Sequence, residues 1–130
     1  LVSNAVSQFP RPGLKAFLIW AFEQFERVVL YTSVREEKAR EVIRNLMAHN
    51  DVDPETLERL EFLHCASGAK DLDLVEGVSP SRVLLVDDQV RAIVENQREQ
   101  WIPITDFDVP YPEDDRELER VRRELERRIG

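Results

Sequence analysis

Val83-Leu84-Leu85-Val86-Asp87-Asp88 decides the fold. Four consecutive branched apolar residues mark a strand covered on both faces, as in parallel sheets packed between helices. Two carboxylates follow where that strand ends. A second run of the same character, Val28-Val29-Leu30-Tyr31, ends on Thr32-Ser33. Shorter strand candidates lie at 61–64 and 101–105.

Helical periodicity fills the intervals. After Arg11-Pro12-Gly13, the residues Leu14, Phe17, Leu18, Ala21, Phe22 and Phe25 fall on one helix face. Pro12 suits an early helical position, where its missing N–H has no partner to lose. Ser33-Val34-Arg35-Glu36 has the spacing of a capping box, and Ala39, Val42, Ile43, Leu46 and Met47 continue as an apolar stripe to a stop near His49-Asn50. Asp53-Pro54 opens a short helix with Leu57 and Leu60 inward, and a helical turn is expected over 70–75. A further short helix after Asp88 directs Val90, Ile93 and Val94 inward. The tail from Glu113 carries Leu118, Val121, Leu125 and Ile129 on one stripe, with Glu119–Arg123 and Glu124–Arg128 as i, i+4 pairs. This alternation predicts one α/β domain over 1–130, with a mostly parallel sheet and helices on both faces.

The bulk composition bounds the function. The chain has 130 residues, 42% hydrophobic, enough for a single core. Its formal net charge of -8 repels a nucleic-acid backbone, so no nucleic-acid partner is expected. No apolar run approaches the roughly 20 residues of a membrane span, so no membrane is expected either. One cysteine and two histidines make an internal disulfide impossible and a zinc site of these ligands improbable; a reducing cytoplasm suits such a chain.

Ligands of open parallel sheets bind beyond the carboxyl ends of the strands. That rule selects Thr32-Ser33, the loop before Lys70, and Asp87-Asp88. Adjacent carboxylates at a strand tip fit a hard divalent cation such as Mg²⁺, or else Asp88 caps the following helix. At Thr32-Ser33 a hydroxyl beside free helix N–H groups fits a phosphoryl oxygen, though Ser33 can equally be a plain cap. Lys70, after the small-residue loop 66–69, can neutralise a transferring phosphoryl group, or be an ordinary surface lysine.

Taken together, a hydroxyl, then a lysine, then an acid pair at successive strand ends resembles the haloacid dehalogenase superfamily. Arg11-Pro12-Gly13-Leu14, Tyr31-Thr32-Ser33, Lys70-Asp71-Leu72, Val86-Asp87-Asp88, Ile102-Pro103-Ile104 and the Asp114-Asp115 to Leu118 segment occur in that order. They resemble the small C-terminal-domain phosphatases, the NLI-interacting-factor-like family. The resemblance implies a Rossmannoid three-layer α/β/α fold with no large cap domain. It implies a Mg²⁺-dependent phosphomonoester hydrolase in which an aspartate attacks phosphorus to form an aspartyl-phosphate, and a second aspartate two residues on serves as acid and base. Thr32 and Ser33 would bind the phosphoryl oxygens, Lys70 would offset charge, Asp88 would hold Mg²⁺, and Asp87 would orient Lys70 or a metal-bound water. The substrate would be a phosphorylated protein or a small phosphomonoester.

The family's nucleophile motif, D-x-D-x-[TV] followed by Leu-Val, is expected just upstream of Leu1-Val2, on a central strand absent from these residues. Asp71-Leu72-Asp73-Leu74-Val75 matches the motif literally, but a small, polar stretch precedes it instead of an apolar strand. A catalytically inactive protein-binding module is the main alternative. A receiver domain fits less well, because no lysine follows Asp88. His64-Cys65 reads as a structural strand end facing the core, and Trp20 and Trp101 as packing residues.

Overall fold

The computed structural model describes residues 9–107 and 112–129. The Leu1-Val2 pair therefore lies outside the described residues. Helix α1 (Leu14–Gln24) is entered through Gly13, whose φ of 86° is the left-handed conformation that glycine adopts without strain. Pro12 sits in the turn ahead of the helix, closed by the Leu14 N–H on Arg11 O. Strand β1 (Val29–Thr32) follows, then α2 (Glu36–Ala48).

The cap of α2 differs from the sequence expectation. The residue at the cap is Arg35, with no side-chain cap bond, and Ser33 lies outside the helix. The Thr32 hydroxyl takes the Val34 N–H instead, at 3.1 Å. At the other end the expectation holds. Asn50 has φ 60°, and the Asp51 N–H on Leu46 O with the Asn50 N–H on Met47 O forms a Schellman closure.

Helix α3 (Thr56–Arg59) leads into β2 (Glu61–His64), which pairs parallel with β1 in the register Val29↔Glu61 to Thr32↔His64. Strand β3 (Leu85–Asp87) pairs parallel with β4 (Trp101–Pro103). Both are shorter than expected. The Val83 N–H closes the 3₁₀ turn Pro80–Arg82 through Pro80 O, so Val83 is withheld from pairing. Beyond Pro103, Thr105 is diverted to side chains of α4 (Glu117–Ile129) and of Arg11.

Among the described residues there are two two-stranded parallel sheets, β1-β2 and β3-β4, in place of one continuous sheet. Helix α1 spans both. Its Leu14 and Leu18 join the cluster of Val42, Ile43, Leu46, Val52, Leu60 and Leu118, whereas Trp20 and Ala21 join Ile102, Val121 and Leu125. The clusters meet at Phe17, Val28 and Ile104, which pack against both. Two expected inward residues are exposed. Val90 is 54% exposed because the segment is a 3₁₀ turn, Val90–Ala92, that buries Ala92 instead. Ile129 is 46% exposed, at the last residue of α4, where no element among the described residues covers it.

The junction of β4 and α4 is held by charge. Glu117 takes the Thr105 N–H and two bonds from Arg120, which also donates to Pro103 O. Chiefly through the Arg120 hydrogen bond, the Glu117 carboxyl is held down to about 2 from its ordinary 4.5. A depressed carboxyl stabilises the fold above its unfolded pKa and loses that contribution as pH falls. Stability is therefore expected to drop as pH falls from 4.5 towards 2, and Glu117→Gln should flatten that acid limb in urea melts run across this range.

Candidate active site

The carboxyl ends of β1, β2 and β3 are tied together by the loop 65–72. The Cys65 N–H donates to Thr32 O at 2.7 Å, which starts the loop beside the end of β1. The Tyr31 hydroxyl donates to Asp71 O at 3.1 Å. The Lys70 N–H donates to Ala92 O at 2.7 Å, fastening the loop to the segment that follows β3. Lys70 Nζ then reaches the Asp87 carboxylate in an ion pair.

Every polar atom of Asp87 beyond its own strand is engaged. Oδ2 takes Lys70, Oδ1 takes the Gln89 N–H at 2.8 Å, and its carbonyl accepts from Trp101 Nε1 at 2.9 Å. The Asp87 side chain is 3% exposed. Such a carboxylate is fixed in place and serves best as an orienting anion for the ammonium beside it. Asp88 is different: it is exposed. Partial desolvation first, and then the hydrogen bond and charge of Asp106, push the Asp88 carboxyl above its ordinary value, against the pull of its backbone N–H and of Lys70.

Sequence reading singled out Lys70, Asp87 and Asp88, and these are neighbours. Thr32 and Ser33 stand at the end of the other strand pair, joined to Lys70 through the loop and not by side-chain contact. The Thr32 hydroxyl accepts from Val34, which leaves its own proton to donate. Asp71 acts as a cap: its Oδ1 takes the Asp73 N–H and Gln97 Nε2, and the first of these is the larger cause of its depressed pKa. Cys65 is buried and donates to Ala69 O. His64, expected to face the core, is exposed, with Nδ1 against Val34 O.

Asp106 and Gln97 escaped sequence reading. Asp106 carries the weak signal of an acid just beyond a strand, whereas Gln97 sits in a polar run that resembles a solvated surface. Among the described residues, no group of three or more His, Cys, Asp or Glu side chains is placed to hold a metal. A pair of carboxylates does suit Mg²⁺, which takes one or two carboxylates and completes its shell with water and substrate oxygens. A cation there would also relieve the repulsion between Asp88 and Asp106.

The parallel strand pairs carry a partly buried lysine–aspartate pair, with Asp88 next to it, at their carboxyl ends, where ligands of open α/β sheets bind. The chain belongs to the NLI interacting factor-like phosphatases, a family of the haloacid dehalogenase superfamily, whose family model matches residues 2–129. Comparison with curated proteins gives no match. Among the described residues, no helix is long and apolar enough to cross a membrane.

Proposed function

We propose that this chain belongs to a Mg²⁺-dependent phosphomonoester hydrolase that works through an aspartyl-phosphate. The observation that carries the reading is the Lys70–Asp87 ion pair beside Asp88 at the strand ends, in a chain of a phosphatase family. The attacking aspartate is not assigned to any of the described residues; β1 and β3 each have one edge unpaired among them. Lys70 faces the phosphoryl group and offsets its charge as the bond to the leaving oxygen breaks. Asp87 orients Lys70. The Thr32 hydroxyl donates to a phosphoryl oxygen, with Ser33 adjacent at the same strand end. Asp88, with Asp106 beside it, holds Mg²⁺, whose positive charge favours the in-line transfer. A phosphorylated protein is the favoured substrate, because no insertion between Ser33 and Lys70 builds a cap over the site.

Hydrolysis of p-nitrophenyl phosphate by the full-length natural protein tests this. Turnover that needs Mg²⁺ and disappears with EDTA is expected. A folded protein with no turnover at any Mg²⁺ concentration would instead be a protein-binding module.

A further inference from the structure

We infer that Gln97 is a positioning residue for Lys70. The segment 70–72 carries the lysine but has no regular structure of its own until the 3₁₀ turn Leu72–Leu74. Its backbone is therefore held by outside groups. Gln97, 6% exposed, holds the segment at one backbone and one side-chain atom: Oε1 accepts the Leu72 N–H at 2.9 Å, and Nε2 donates to Asp71 Oδ1 at 2.9 Å. An amide matches this pair of sites, since it offers one acceptor and one donor face. A carboxylate in its place would repel Asp71, and an apolar side chain would strand the Leu72 N–H.

Gln97 comes from the 3₁₀ stretch Glu95–Gln100, which runs directly into β4 at Trp101. Trp101 in turn bonds the Asp87 carbonyl. One continuous piece of chain thus braces both partners of the ion pair, Asp87 through Trp101 and, through Gln97, the two residues that follow Lys70. The Gln97 side chain bonds Leu72 and Asp71, whereas Lys70 Nζ pairs with Asp87, so its action is indirect. Its catalytic consequence rests on the role proposed for Lys70; its structural consequence does not.

Competitive labelling with acetic anhydride tests the structural part on the chain itself, because Lys15 and Lys38 serve as internal references. Gln97→Leu is expected to raise Lys70 labelling several-fold relative to Lys38, at a constant Lys15-to-Lys38 ratio. Gln97→Glu, which keeps an acceptor for the Leu72 N–H, is run beside it to secure a folded variant and should also raise Lys70 labelling. In the full-length protein, Gln97→Leu, which loses both hydrogen bonds, should lower kcat at least about tenfold, with KM unchanged. In a Lys70→Met background it should have no further effect, since residues acting through one group are not additive. Unchanged Lys70 labelling in a folded variant overturns the inference, as does an equal kcat loss with and without Lys70. Raised labelling in a protein without turnover would leave the positioning role standing and remove the hydrolase reading alone.

Discussion

Arg11→Met is expected to lower the stability of the fold by about 3–5 kcal/mol, the cost of leaving one member of a buried ion pair without its partner. The Arg11 side chain is 2% exposed and that of Asp115 9%. Nε and Nη2 bind the two Asp115 oxygens at 2.8 and 3.0 Å, a bidentate fork. The remaining donors hold the Thr105 carbonyl and hydroxyl, and the guanidinium lies 5.3 Å from the Phe107 ring centroid. The substitution strands a carboxylate and a carbonyl while keeping much of the aliphatic volume. Arg11→Met with Asp115→Leu should recover most of the loss, because an apolar pair of similar volume carries no desolvation cost. Urea denaturation of the three proteins checks this. A single-variant loss below about 1 kcal/mol, the range of surface pairs, would show that the clamp is solvated.

Lys70→Met is expected to reduce turnover by the full-length protein by at least about 100-fold, as for loss of a charge aimed at a developing anion. It should also destabilise the fold, since the Asp87 carboxylate is buried and would lose its counter-charge. The two effects separate in Lys70→Met/Asp87→Asn. Neutralising Asp87 removes the stranded charge, so stability should return while activity stays lost. Recovery of activity in the double variant would mean that Lys70 serves only to neutralise Asp87. Denaturant midpoints and steady-state rates on the same samples decide between these outcomes.

Local periodicity and strand-end position make much of the fold, and the grouping of Lys70 with Asp87 and Asp88, legible in the sequence. Strand β2 lies at Glu61–His64 as its run of residues indicates, and α2 stops at the Asn50 closure. Asp87 and Asp88 stand at the end of β3 and Lys70 in the loop after β2, and these neighbouring positions follow from strand-end placement in a parallel fold. What escaped was long-range and aperiodic. The Arg11–Asp115 clamp joins residues 104 positions apart, and Gln97 reaches Asp71 across 26. No window of sequence records such contacts. The capping box failed for a different reason: Thr32, next to Ser33, offers a competing hydroxyl, and a side chain that bonds a local N–H pre-empts the cap. Val90 was misplaced because a 3₁₀ turn, with its tighter period, rotates residues off the face that an α-helical count assigns.

The central claim is that a cation held at Asp88 and the ammonium of Lys70 together neutralise one phosphoryl group. Phosphate release by the wild-type full-length protein and by Asp88→Asn, titrated with Mg²⁺, addresses it most directly. A higher Mg²⁺ requirement is expected in the variant, with a rate that stays about 100-fold lower even at saturation. Equal rates at equal Mg²⁺ would contradict it.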